Sequence, residues 1–577
     1  MNAPALLPTL QEQSSLQRIS QVMAVGDYAR AIDLAAAFVR ASPGLAIAHH
    51  IQGAALSGAG RLEDAEKALR EALRLDPNFA RAAVTLSEVL INTDRAVQAR
   101  EVLAPFVARP DADILVLTAE ATALKSLRRF DDAVATYERA RDASPKSGVA
   151  EHNLAGLLGD MQRYADSEAA VKRALAKGLD APETWLIRAR SMQGMGWLDE
   201  AAIAYGEVIK RRPTFADAHG DLAQLVWMRT EDLSAATRAL DHAIAAYPND
   251  PGLRLKKASL LEYAVGQREA YDSLMAAPAA VRATAPVEIA AANLATGLNP
   301  SDALAHARRA FAAAPDEMTA VAALCQAQLA AGEPDAALQT ALILRNRWSL
   351  NQHGVAMLAT AWRLLGVEAY RELYDYDRFV KGFQLETPEG WGSLDAYVAD
   401  LAAALEANHR YRAHPIGQSL RFGSQGELGQ SAVSGEGVDP AIAAFFPTLR
   451  KAIGHYIQGL GHGADPLRTR ITDDFAFTGA WSVRLRPGGY HANHIHPMGW
   501  ISSACHLVTP PGVDQGQDGW LSFGQPGIPT EPALAPEHFV KPEPGVLVLF
   551  PSYMWHGTAP FHGEGMRLTA AFDVLPV

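Results

Sequence analysis

Ile51-Gln52-Gly53-Ala54-Ala55-Leu56, then Gly60-Arg61-Leu62-Glu63-Asp64-Ala65, then Ala68-Leu69-Arg70-Glu71-Ala72-Leu73 and Asp76-Pro77: this stretch decides how the first two thirds of the chain read. Apolar residues recur at helical spacing. Small residues stand where two helices must approach closely. A Gly or polar residue separates the first helix from the second. The proline closes the unit, because it lacks an N–H and restricts the residue before it. The closing proline recurs: Pro43, Pro77, Pro110 and Pro145 are 34, 33 and 35 residues apart, Pro213 follows after 68, and Pro248 after 35 more. A second clear unit has Arg129-Phe130-Asp131-Asp132-Ala133, Tyr137 and Ser144-Pro145.

These residues resemble the tetratricopeptide repeat family, whose unit is about 34 residues of helix–turn–helix. Nine or ten units fit between about residues 15 and 352, with degenerate ones around 252–317. The resemblance implies an all-α superhelix whose concave face takes up a peptide or protein segment. Other arrays of this kind self-associate as homo-oligomers or brace a neighbouring domain. The expected organisation is a repeat array over 1–352, capping helices and linker over 353–385, and a separate domain over 386–577.

Composition narrows the function classes. The chain has 577 residues, 49% hydrophobic and 20% charged, too long for one ordinary core. A net charge of −12 disfavours nucleic acid as a partner. No apolar run reaches the ~18–20 residues that span a bilayer, so no membrane is expected. Met1–Pro8 has no basic segment followed by an apolar one, so a secretory signal is not expected. Cys325 and Cys505 form no disulfide framework. The cytoplasm is the expected compartment.

Beyond the turn-rich Glu386–Gly392 the 34-residue spacing stops. Helical periodicity marks 393–410 and resumes at Ile442, running through Leu449, Ile453 and Tyr456. From Phe475 the pattern becomes short strands with Pro/Gly turns: Ala480–Arg486, His494–His496, Ile501–Val508, Gly519–Phe523, Val546–Phe550 and Arg567–Val574. Many short strands with turn punctuation predict a sandwich or barrel, and helices preceding an antiparallel core suit a jelly roll. Alternate strand residues share a face, so His494 and His496 can aim two imidazoles at one point. His556 follows an apolar strand and can close the site from across a sheet. Three neutral imidazoles suit Fe, Zn, Cu or Ni. Arg567 and Thr569 share a strand face, and a guanidinium suits a carboxylate.

Trp481, Arg486-Pro487-Gly488-Gly489, His494-Ile495-His496-Pro497, Gly545 to Phe550-Pro551-Ser552, His556, and Arg567-Leu568-Thr569 with Phe572 together resemble the 2-oxoglutarate/Fe(II) oxygenases fused to tetratricopeptide arrays. Gln418–Gln425 is similar to a motif upstream in those proteins. The resemblance covers about 386–577 and implies a double-stranded β-helix (jelly roll). It implies a dioxygenase that hydroxylates a peptide or protein side chain, with Fe(II) as metal and 2-oxoglutarate as cosubstrate. His494 matches the first metal ligand, His556 the distal one, and Arg567, assisted by Thr569, the cosubstrate anchor. The sequence departs from the family at His496, where a carboxylate usually stands. His496 either ligates, or orients a water, or marks a lost activity. His491 with Asn493 is a competing register.

The alternative is a non-catalytic repeat scaffold with a degenerate oxygenase domain. A cupin-type metal site fits less well, since no Glu follows His496 and Arg567 would have no role. His506, His538 and His562 are expected to be structural, Cys505 to be core, and Trp500, Trp520 and Trp555 to be packing residues. Arg484 or Arg486 could supply a second anchor. Asp473-Asp474 reads as surface charge, and the loop 509–518 could cover the site.

Overall fold

The computed structural model describes residues 9–435, 437–510, 512–514 and 516–577. Residues 1–8 of the expected array therefore lie outside the described residues. Residues up to 204 form one compact unit, and those from 205 onward a second. No helix among the described residues is long and apolar enough to cross a membrane.

The first unit is built from paired helices, such as Tyr28–Ala41, Ala46–Gly58, Leu62–Leu75 and Ala80–Ile91. The helix before each periodic proline stops two or three residues short of it: Ala41 before Pro43, Leu75 before Pro77, Val107 before Pro110, Ala143 before Pro145. A side chain at Gly53 would place its Cβ 2.6 Å from Leu69 Cγ, so the absent side chain sets the helix–helix distance. Buried Glu151 is held by Arg173 at 2.9 Å and Lys177 at 3.1 Å.

The second unit continues the pairing through Ala216–Thr230 and Leu233–Ala246, Pro251–Ala264 and Gln267–Met275, Ala285–Ala295 and Pro300–Ala313, and Met318–Ala330 and Pro334–Arg347. The helices Gln352–Leu365, Ala369–Leu373 and Tyr376–Phe379 follow. Nine strands come next among the described residues: β1 Lys381–Gln384, β2 Leu420–Glu427, β3 Phe475–His491, β4 Ile501–Val508, β5 Leu521–Phe523, β6 His538–Val540, β7 Val546–Pro551, β8 His556–Thr558 and β9 Arg567–Pro576.

They make two antiparallel sheets, a six-stranded one in the order β1-β7-β4-β9-β3-β2 and a three-stranded one in the order β6-β5-β8. From β3 onward the chain passes repeatedly from one sheet to the other, as in a jelly roll. Four strands go beyond the sequence reading. β1 lies in the segment read as a helical cap, β2 overlaps the polar Gln418–Gln425 motif, and β6 and β8 are three residues each, too short to show a period. The strand expected at His494–His496 is a single bridge from His494 to His556. Its pairing ends there because the His496 N–H turns to the Ser552 carbonyl at 3.0 Å and the chain turns at Pro497 and Met498.

One apolar cluster runs from Val321, Leu344 and Met357 through Phe445 and Ile453 to Leu549, Phe550, Phe572 and Val574. The helices from Met318 onward and the large sheet therefore share one core. The helices Leu394–Glu406 and Pro440–Leu460 cover the sheet face opposite the histidines, with Leu401, Leu405, Phe446 and Leu449 fully buried.

Candidate metal centre

Backbone pairing brings the three histidines together. The His494 N–H donates to the His556 carbonyl at 2.8 Å, and the His556 N–H donates back at 3.0 Å. This approach needs Gly557, where a Cβ would collide with Asn493 Oδ1. The ring centroids of His494 and His556 are 4.2 Å apart, and those of His496 lie 5.1 Å from each. His494 Nε2 and His496 Nε2 are 3.2 Å apart, and one ring nitrogen from each of the three residues lies within 4.8 Å of the others. Trp481 tilts against His496 at 5.6 Å, and Phe550 against His556 at 4.6 Å.

Each Nδ1 already has an acceptor. His494 Nδ1–H donates to the Ala492 carbonyl at 2.9 Å, and His556 Nδ1–H to the Met554 carbonyl at 2.9 Å. His496 Nδ1–H meets both carboxylate oxygens of Asp573, at 2.6 and 2.7 Å. An acceptor on Nδ1 fixes the tautomer and leaves the Nε2 lone pair free. Burial, reinforced by the neighbouring His496, pushes the His494 pKa down to about 3, and burial holds His556 well below its ordinary value. Both rings are therefore neutral near pH 7, the form that binds metal.

Asp573 is the site residue the sequence reading missed. Ser502 donates to its Oδ1 at 2.7 Å, and Ser502 in turn contacts Ser552 at 2.8 Å. The signal was present: Arg567, Thr569, Ala571 and Asp573 alternate along one strand. The carboxylate absent at position 496 thus stands behind the imidazole rather than in its place.

Arg567 and Thr569 share one face of β9, opposite Leu485 and Val483 of β3. Arg567 is 2% exposed, and burial lowers its pKa to about 10, so it remains a cation. Its Nε has no hydrogen-bond partner among the described residues. His506 pairs with Thr569 across β4 and β9, and both of its ring nitrogens also lack a partner among the described residues. A buried unpaired polar group costs about 1–3 kcal/mol, more when charged.

The remaining sequence candidates take other partners. His491 donates or accepts at Ser419 Oγ, 2.9 Å away, and its ring faces His494 at 6.0 Å. Arg484 and Arg486 point away from the histidines, toward Glu406 and Glu231. His538 stacks on Tyr376, and exposed His562 pairs with Asp518. Cys505 is fully buried, and Asp473 and Asp474 are exposed. Trp500, Trp520 and Trp555 donate to Leu467, Val513 and Thr360. In the loop 509–518, residues 511 and 515 lie outside the described residues.

Residues 479–573, which span all these strands' site positions, match the model of a family described as "Putative 2OG-Fe(II) oxygenase". Residues 56–121, and 22–78 with 193–251, match tetratricopeptide repeat models. Protein FlbA of Caulobacter vibrioides is 28% identical over 224 residues, 39% of this chain and 37% of FlbA, so the chain spans little more than a third of that relative. A thermophilic tetratricopeptide protein of Thermus thermophilus is 22% identical, covering 30% of this chain and 95% of its own, at a TM-score of 0.28. Yeast Tom70 is 12% identical, covering 63% of this chain and 97% of its own, at a TM-score of 0.30. The chain joins tetratricopeptide repeats within 22–251 to a domain of the 2OG-Fe(II) oxygenase type at 479–573.

Proposed function

We propose that this protein is an Fe(II)- and 2-oxoglutarate-dependent dioxygenase that hydroxylates a peptide or protein side chain recruited by its repeats. One observation carries the reading: three imidazoles with free Nε2 atoms converge, and a buried guanidinium on the same jelly roll has an unpaired nitrogen. The donor set fits a metal ion. Two nitrogens each about 2.1 Å from one ion at right angles would lie ~3.0 Å apart, and His494 Nε2 and His496 Nε2 are 3.2 Å apart. His494, His496 and His556 would hold the Fe(II). Arg567 and Thr569 would hold the far carboxylate of 2-oxoglutarate. When bound, the metal and cosubstrate supply oxygen activation for hydroxylation.

The chain's own contribution is orientation and exclusion of water. Ala492, Asp573 and Met554 fix the three ring tautomers. Asp573 supplies the negative charge that a carboxylate ligand would otherwise bring, one bond network further out. Trp481 and Phe550 wall the imidazoles with apolar surface, which strengthens polar contacts inside. Arg567 pairs with a carboxylate in a low-dielectric setting, where a charge-assisted bond is strongest. The repeats favour a macromolecular substrate, since stacked helix pairs offer an extended surface. The cytoplasmic setting and any self-association belong to the same reading.

Anaerobic titration of the full chain with Fe(II) and 2-oxoglutarate tests it. A metal-to-ligand charge-transfer band in the wild type that weakens in Arg567→Ala is the expected result. No band in metal-loaded protein would overturn the reading in favour of a non-catalytic repeat scaffold.

A further inference from the structure

The segment after the helix Leu394–Glu406 lies on repeat helices of its own unit. A helix leaves its last four carbonyls without intrahelical donors. Near the end of Ala216–Thr230, the Met228 carbonyl accepts from the N–H groups of Arg412 at 2.8 Å and Ala413 at 3.1 Å. Near the end of the next repeat's Pro251–Ala264, the Tyr263 carbonyl contacts His414 Nε2 at 3.1 Å. The Ile416 N–H donates to Gln224 Oε1 at 3.0 Å. Ala413, 1% exposed, joins the apolar cluster of Trp227, Met228 and Leu260, and His414 meets Trp227 edge-on at 6.2 Å. Arg421 then covers the Tyr263 ring at 4.6 Å. Consecutive residues of one irregular segment thus satisfy carbonyls of two successive repeats.

The same segment ends at the histidines. Ser419 Oγ lies 2.9 Å from His491 Nδ1, and the Ala492 N–H donates to the Ser419 carbonyl at 2.9 Å. Leu420 pairs with His491 in the β2–β3 register. The His491 ring is nearly parallel to that of His494, at 20°. Ala492 also supplies the carbonyl that takes the His494 Nδ1–H. Only Gly417 and Gln418 therefore separate Ile416, anchored on the repeats, from Ser419, anchored beside His494.

We propose that Arg412–Ile416 is a built-in ligand of the repeat helices, and that its seating sets the backbone at Ala492 and the orientation of His494. Gln224, Trp227 and Tyr263 are then positioning residues for the centre, acting through Ser419. The link to metal chemistry rests on the reading of His494 given above; the link from repeat to backbone does not.

Hydrogen exchange on the full-length protein tests the coupling without metal. Ala413→Asp buries an unpaired carboxylate under the segment. Gln224→Ala removes one anchor and is mild enough to keep the fold. Leu304→Ala loosens a different repeat cluster and serves as the control. The expected result is faster exchange at Arg412 and Ala413 in both segment variants, accompanied by about tenfold faster exchange at Ala492 and His494. The control should leave Ala492 and His494 protected. Release of Arg412 and Ala413 with Ala492 and His494 as protected as in the wild type would overturn the proposal. Co(II) alone, followed by its visible absorption, reads the metal side: a changed spectrum in Gln224→Ala and not in Leu304→Ala supports the coupling to His494. Exchange coupling in a protein that takes up no Co(II) would support the backbone link and count against the metal reading alone.

Discussion

Asp573 offers the sharpest perturbation of the proposed centre. Its two carboxylate oxygens lie 2.6 and 2.7 Å from His496 Nδ1, so one group both fixes the ring and places a negative charge behind it. Asp573→Asn keeps a carbonyl acceptor at nearly the same place and removes the charge. Ser502, which donates to Asp573, can turn to Ser552 Oγ at 2.8 Å, so no orphaned hydroxyl follows. Partners of this kind contribute about 10–100-fold to metal affinity, equivalent to roughly 1.4–2.8 kcal/mol. Asp573→Asn should fall at the low end and Asp573→Ala, which loses acceptor and charge, at the high end. The assay is competition between the full-length protein and a chelator for Mn(II) or Fe(II) at fixed pH. Arg567→Ala is the internal control, because it should leave affinity for the metal alone unchanged. Affinities of both Asp573 variants within about twofold of wild type would refute the idea that this carboxylate compensates for the histidine at 496.

Other outcomes follow from the same structure. Arg567→Ala should weaken 2-oxoglutarate binding to the metal-loaded protein by about 10–100-fold, since hydrogen bonds to charged groups contribute roughly 1.5–3 kcal/mol; calorimetric titration with Mn(II) present checks this. Leu549→Ala, at a fully buried position of β7, should cost about 2–5 kcal/mol in denaturant unfolding. Acidification should destabilise the fold. Burial depresses His353 and His409 from 6.5 to about 4. In the unfolded chain these groups take up protons near 6.5, and in the folded chain only near 4. Their contribution is therefore complete above 6.5 and is lost as pH falls toward 4, which thermal unfolding across that range should show as a falling midpoint.

Periodicity made much of the architecture legible. Pro43, Pro77, Pro110 and Pro145 stop helices in the structure because a proline effect is local: it acts on the residues beside it. The run Val546–Phe550 showed itself as a strand because a buried strand needs only apolar residues in succession. Trp500 and Trp555 read as packing residues, and each is buried with its indole N–H satisfied. β6 and β8 escaped notice because three residues carry no usable period, and β1 because its four residues form a strand only by pairing with β7.

What the sequence by itself determined is therefore whatever is encoded within one turn or one strand: the repeat period and the shared face of Arg567 and Thr569. Tertiary structure alone decided which distant groups meet. Asp573 reaches His496 across 77 residues, and Met228 accepts from Arg412 across a far longer stretch. It also decided that the helices from Met318 onward share a core with the sheet. The physical reason is common to all three. Each depends on a carbonyl, a carboxylate or an apolar face whose partner is chosen by burial, and burial is a property of the packed chain rather than of any stretch within it.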